Sequence, residues 1–236
     1  MIRSSFYVLL VLSVFLASCS NQKDIEESNT LPSLMLFHSS INTLDLTGIE
    51  IIDGPLHLVN TDAKDLSFLS GIKEVRGKIE IANNEDLESL FGLENLQFVE
   101  TINIRLNKNL RNVSSLRDVQ IEKALHLVQN GIEQVPVFNG LANPSIEINI
   151  DEPMESLEII SSIESASNIR VVDSKLVDLA DFKNLKEIDK LTIQANALLE
   201  DYCEIKTLLV ENESIELDFK GNRFNPTKEE IIAQCE

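Results

Sequence analysis

From Glu74 the chain reads EVRGKIEIANNEDLESLFGLENLQFV. Ile79 and Ile81 alternate with polar neighbours, an Asn pair follows, and Leu87, Leu90, Leu93 and Leu96 fall three residues apart. Alternation of period two predicts a strand with one buried face. The three-residue step suits tight 3₁₀-like or polyproline turns as well as α-helix. The apolar pair has partners at Leu56/Leu58, Ile102/Ile104, Leu125/Leu127 and Ile148/Ile150, each 23 residues from the last. The series goes on less strictly with Ile169/Val171, Leu191/Ile193 and Ile215/Leu217, and Leu34/Leu36 stands where an opening member would. A fixed period of this length is the signature of a repeat array.

Each unit has an Asn after its strand: Asn84, Asn107 and Asn130 keep the 23-residue step, and Asn196 sits in the same place after Ile193. An inward-pointing amide can bond backbone groups of neighbouring turns that a bend would leave unpaired, so this Asn series reads as structural. Apolar positions at Leu110-Val113-Leu116 and Leu176-Leu179-Phe182-Leu185 return the chain along the opposite wall, and Phe68, Phe91 and Phe182 on these legs read as core. Gly54 and Gly77 precede strands, where a turn of positive φ is the expected role. Between Asp151 and Ser167 the register breaks: Pro153 stands in place of the Asn, and ESLEIISSIESAS is expected to hold a short helix beside a bulge or shift. One unit cannot bury its apolar side, but stacked units share a core. Eight or nine strands about 4.8 Å apart give a rod of roughly 40 Å.

The start of the chain reads differently. Arg3 precedes an apolar run of 12 residues, Phe6 to Ala17. A bilayer span needs about 20, so the run suits a signal-peptide core. Leu16-Ala17-Ser18-Cys19 follows and resembles the bacterial lipobox, which implies lipidation of Cys19. The expected division is a signal peptide over 1–18, a lipidated Cys and flexible tether over 19–32, a repeat array over 33–200 and a C-terminal cap over 201–236. The net charge of -19 across 236 residues argues against nucleic acid, whose binding draws on Lys and Arg.

The form V-x-G-x-I-x-I-x-x-N-x-x-L-x-x-L-x-G-L-x-x-L, clearest from Val75 through Leu96, resembles the receptor L domain, a leucine-rich-repeat relative. It is also similar to leucine-rich-repeat surface lipoproteins of Bacteroidota, and Gln22-Lys23-Asp24 with Glu26-Glu27 resembles their surface-export tag, interrupted by Ile25. The resemblance implies an α/β solenoid with a parallel sheet and a C-terminal cap helix. Asp201-Tyr202-Cys203, then Gly221 through Thr227, then Glu230 and Cys235 look like the closing cap of such arrays. Thr227 and Glu230 fit a capping box. Cys203 and Cys235 are the thiols that remain once Cys19 is lipidated, and in an exported chain they read as a disulfide rather than as two free thiols.

No nucleophile with a base, no paired carboxylates in a pocket, no metal-ligand cluster and no Gly-rich phosphate loop emerges, so neither catalysis nor a cofactor is expected. His57 and His126 fall in one outward column three strands apart, roughly 14 Å, too far to share a metal. That column reads His57, Glu80, Asn103, His126, Asn149, Arg170, Thr192 and Glu216; its neighbour runs from Val59 through Arg105 to Asp218, with no aromatic in either. Solenoids use such faces for binding. The expected contact residues are His57, Glu80, Asn103, Arg105 and His126, the expected partner a protein or other macromolecule, and the expected location the outer membrane, facing the cell surface or the periplasm. A structural spacer without a ligand is the alternative. Carbohydrate capture would want an aromatic platform.

Overall fold

The computed structural model describes residues 29–38, 41, 44–141 and 143–235. The expected signal peptide, Cys19, the export tag and most of the tether lie outside the described residues.

Among the described residues, eleven strands form one sheet in which every pairing is parallel. They are β1 (Thr30–Leu31), β2 (Leu34–Phe37), β3 (Ile51–Ile52), β4 (Leu56–Val59), β5 (Glu74–Ala82), β6 (Phe98–Arg105), β7 (Gln120–Val128), β8 (Glu147–Asp151), β9 (Ser165–Val172), β10 (Glu187–Gln194) and β11 (Glu216–Lys220). The order β1-β3-β5-β6-β7-β8-β9-β10-β11 is one open path of nine strands, and β2 and β4 form a second short path that also joins β5. Leu34, Leu56, Ile79, Ile102, Leu125, Ile148, Ile169, Leu191 and Leu217 pair in turn, so their side chains stack in one inward column. The chain returns behind the sheet through one-turn 3₁₀ segments at Ser67–Leu69, Ser114–Leu116, Glu158–Ile160, Ala180–Phe182 and Cys203–Ile205. The inward Leu, Ile, Val and Phe residues of these return legs close one continuous core from Leu34 to Cys235.

Several expectations need correction. Leu191 and Ile193 pair with Leu217 and Phe219, not with Ile215 and Leu217. The intervening leg contains helix α1 (Lys206–Glu211). A helix advances about 1.5 Å per residue against about 3.3 Å for a strand, so this leg needs more residues for the same span. Between Asp151 and Ser167 only a three-residue 3₁₀ turn forms, and β8 pairs with β9 without a slip. The irregular pairings lie elsewhere, at Val75/Lys78 and Val99/Thr101. Phe182 is buried, but Phe91 is 58 % exposed, because Leu90 and Leu93 on either side of it take the inward positions. Gly54 and Gly77 do not have positive φ. They are glycines because backbones meet there: a Cβ on Gly77 would stand 2.8 Å from the Gly54 carbonyl oxygen, and one on Gly54 would stand 2.5 Å from that of Pro32.

Left-handed backbone falls instead on the residue just after β2, β4 to β7 and β9 to β11. His38, Asn60, Asn83, Leu106, Gln129, Asp173 and Ala195 have φ between 50° and 58°, and Gly221 continues the column at 70°. Such a conformation costs a non-glycine residue about 1–2 kcal/mol. The neighbouring strand supplies part of the compensation. The N–H groups of Asn60, Asn83, Leu106 and Gln129 donate to the carbonyls of Ala82, Arg105, Val128 and Asp151 at 2.8–3.1 Å.

The next residue after each corner carries the amide ladder. Asn84 Nδ2 donates to the Leu58 carbonyl (3.1 Å) and to Asn107 Oδ1 (3.1 Å), while Asn84 N–H also donates to Asn107 Oδ1 (2.9 Å). Asn107 donates to Asn130 in the same way. The residue that continues the ladder past Asn130 is Glu152 rather than Pro153: its Oε1 accepts from Asn130 N–H (2.8 Å) and Nδ2 (2.7 Å), and its Oε2 from Ile132 N–H (3.3 Å). This turn lacks the left-handed corner residue, so Glu152 follows β8 directly. The extra methylene of Glu over Asn spans the distance that the missing residue leaves. Ser174, Asn196, Asn222 and Asn225 then form a second ladder.

Glu152 is 1 % exposed. Burial pushes its carboxyl above the usual range, against the hydrogen bonds from Asn130 and Ile132. A carboxyl raised in the folded state makes the fold most stable where it is protonated, with that stability lost as pH rises through the raised value. Glu152→Gln is expected to flatten this part of the stability–pH curve in chemical denaturation. Glu152→Leu strands the Asn130 and Ile132 donors and is expected to cost about 2–3 kcal/mol at neutral pH.

Candidate binding face

Side chains alternate across a strand, so the residues between the buried columns stand on the outer face. The register sets His57, Glu80, Asn103 and His126 side by side on β4 to β7, and Arg105 beside Ala82 and Val128. Four of the five expected contact residues thus form one row. The row continues through Asn149, Arg170 and Thr192 to Asp218, and the adjacent one through Gln194 to Lys220. The expected terminal residues Glu216 and Asp218 are each displaced by two, for the reason that displaced Leu217.

The five residues differ in what they can offer. Glu80 is 6 % exposed and fully engaged: it accepts from Arg105 Nε at 2.7 Å and Asn103 Nδ2 at 3.0 Å, and it pairs with Lys78 Nζ. Burial raises its carboxyl, but the bonds from Lys78 and Arg105 outweigh burial and hold it below the usual range. Glu80 therefore positions Asn103 and Arg105 rather than meeting a partner itself. Arg105 keeps 45 % of its side chain exposed. His57 lies edge-on to the Phe37 ring at 6.1 Å. Among the described residues the buried His126 Nε2 has no hydrogen-bond partner; Glu147 Oε1 lies 3.7 Å away.

Sequence reasoning missed the head of each row. Met35 pairs with His57 and Phe37 with Val59, and at 40 % and 45 % exposure they place an apolar patch with one aromatic ring on the outer face. The alternation of Leu34 and Leu36 was the signal that would have located them. It also missed the third row, which runs Lys78, Thr101, Ala124, Glu147, Asn168, Lys190 and Glu216.

The chemistry available is that of a surface. A depression of about 600 Å³ is lined by Asp118, Gln120, Glu122, Asn139 and Asn143, none of them in these rows. Asp118 accepts from Asn139 Nδ2 there at 2.6 Å, and Ile121 and Pro144 complete a mixed lining that holds no nucleophile beside a base. Among the described residues no group of three or more His, Cys, Asp or Glu is arranged to hold a metal, and no helix is long and apolar enough to cross a membrane.

At the far end, β11 is followed by helix α2 (Lys228–Gln234), whose start is a capping box: Glu230 N–H donates to Thr227 Oγ1, and Thr227 N–H to Glu230 Oε2. Cys203 and Cys235 form a disulfide across 32 residues, with Cα atoms 5.3 Å apart. Lys206 Nζ donates to the Cys235 carbonyl, which ties α1 to the same joint.

The family model of the Receptor L domain matches residues 50–139. That span runs from β3 through β7 and contains all five expected contact residues. The family is a ligand-binding type of domain and not an enzyme family. No curated protein and no solved structure matches the chain.

The lowered Glu80 carboxyl contributes stability that is present above its unfolded range and lost as pH falls through the lowered value. Glu80→Gln is expected to remove that acid-side loss and to cost about 1–2 kcal/mol at neutral pH, less than a fully buried pair because Lys78 and Arg105 are half exposed. Chemical denaturation of both proteins across pH 3–8 checks both effects.

Proposed function

We propose that this chain is a lipid-anchored envelope protein whose outer sheet face binds a protein or other macromolecule. In this reading the array is a solenoid of units near 23 residues, closed by the 201–236 cap and tethered through residues 19–32 to a lipidated Cys19. The observation that carries it is the row His57–Glu80–Asn103–His126 with Arg105, in which a buried carboxylate holds an amide and a guanidinium in place on an uncovered sheet. A side chain held before binding loses little freedom on contact, which favours recognition. The Receptor L domain match over the same strands supports a ligand-binding role without catalysis. One observation favours a passive spacer instead: Glu80, Glu216 and Asp218 are neutralised within the face by Lys78, Lys190 and Lys220.

Photo-crosslinking residues at Asn103 and Val128, with Phe91 on a return leg as reference, test the binding face in cells that produce the protein. Discrete crosslinked products are expected from Asn103 and Val128 and not from Phe91. Equal yields from all three positions would sink the binding-face reading in favour of the spacer.

The anchor is tested separately. Cys19→Ser is expected to move the protein from the membrane pellet to the soluble fraction, while protease shaving of intact cells reports the side of the membrane. Retention of the variant in the pellet would count against lipidation at Cys19.

A further inference from the structure

The end of the outer face nearest the N-terminus is unlike the rest. Met35 and Phe37 stand out from edge strand β2 at 40 % and 45 % exposure. On β4 the register sets His57 beside Met35 and Val59 beside Phe37, both half-buried. The Phe37 ring meets His57 edge-on, and Val59 widens the apolar surface by one strand. The other large apolar side chains exposed among the described residues, Phe91, Val177, Leu198, Val210 and Phe224, stand off the sheet.

Charge divides the face in the same way. Within the three rows from β2 to β6, Glu80 is the one carboxylate among the described residues. It is 6 % exposed and paired with Lys78 and Arg105, whose side chains stay 42 % and 45 % exposed. From β8 onward the same rows carry Glu147, Asp151, Glu216 and Asp218. A chain of net charge -19 is repelled by an anionic bilayer surface over most of its area. In the rows of the β2–β6 end, apolar side chains and exposed cations occur together without an exposed carboxylate, so that repulsion is weakest there.

The chain itself brings this end to a membrane. Asn29 joins the sheet, its carbonyl accepting from Glu50 N–H at 2.8 Å and from Ile51 N–H at 3.1 Å. Between Cys19 and Asn29 the chain cannot reach further than about 35 Å. An acyl chain on Cys19 therefore keeps β2 within reach of the bilayer, and a contact too weak to form from solution becomes intramolecular. We propose that Met35 and Phe37 seat this end of the array on the phospholipid surface, with Val59 beside them and with Lys78 and Arg105 toward the phosphates. Apolar area and attraction to anionic headgroups add in interfacial contacts of this kind. This rests on the reading of Cys19 as lipidated, and it leaves the rest of the rows to a macromolecular partner.

The sequence has no Trp, so a single introduced indole reports its own surroundings. The full chain carrying Phe37→Trp, Met35→Trp or, as reference, Phe91→Trp is reconstituted into phosphatidylethanolamine–phosphatidylglycerol vesicles with and without brominated acyl chains. Phe91 is exposed on the leg between β5 and β6, off the sheet. Bromines at the depth of about 5–10 Å where interfacial apolar groups lie are expected to remove most of the emission of the two β2 reporters and little of the reference. Thermal melts check that each variant folds, and the second β2 reporter guards against one that disturbs the edge strand. Equal quenching of all three reporters overturns the proposal. So does a blue shift of the β2 reporters without quenching, the result of a second copy covering them. Vesicle-bound protein whose β2 reporters are unquenched sinks the docking and leaves the anchor standing. Protein that fails to sediment with the vesicles sinks both.

Discussion

A parallel sheet that advances one strand per turn of chain must bend after every strand, and each bend turns backbone N–H and C=O groups toward the core. The buried amide ladder answers that constraint. Asn84, Asn107 and Asn130 each donate back to the strand of the preceding turn and forward to the next side chain of the ladder, an amide for the first two and the Glu152 carboxyl for Asn130, so each of these corners is bonded on both sides. An unmet donor at such a site costs about 1–3 kcal/mol, so the stack of corners would not persist without these side chains. The apolar columns supply the driving force for burial. The ladder makes burial of the corners tolerable.

The ladder also explains the irregular middle of the molecule. One corner residue is missing after β8, and Glu152 replaces the amide with a longer side chain that can only accept when ionised. The donor chain therefore ends there and a second begins at Ser174. A buried carboxyl raised by desolvation sits at the junction, directly after β8, which carries Glu147 and Asp151 half-buried on the outer face. Local acidity and the break in the ladder thus arise from one turn of chain. The disulfide and the two helices finish the stack where no further strand covers β11.

The outer face shows how a regular scaffold acquires distinct regions. At the β5–β6 end, Glu80 is spent internally in holding Asn103 and Arg105. Around β8, among the described residues, Glu147 and Asp151 have no lysine or arginine partner, and His126 Nε2 and Asn168 Oδ1 have no hydrogen bond. At the N-terminal end, Met35 and Phe37 are apolar. The same alternation generates all three, and their chemistry differs only through which residues occupy equivalent positions.

Periodicity in the sequence was sufficient to assign the inward columns, the Asn ladder at Asn84, Asn107, Asn130 and Asn196, and the row of His57, Glu80, Asn103 and His126, because strand spacing and alternation translate position directly into place. Other features depended on distances between units remote in sequence. Gly54 and Gly77 are required by backbone contacts across strands rather than by φ, and left-handed corners fall on residues as ordinary as Leu106 and Ala195 because neighbouring carbonyls compensate for the strain. The role of Glu152 needed the missing corner to be seen. The register of β11 needed α1, since only the three-dimensional path tells how many residues a leg consumes. Which polar groups on the face are satisfied and which are not was decided by tertiary structure alone, because hydrogen bonding depends on geometry to within a few tenths of an ångström and residue type sets only the capacity for it.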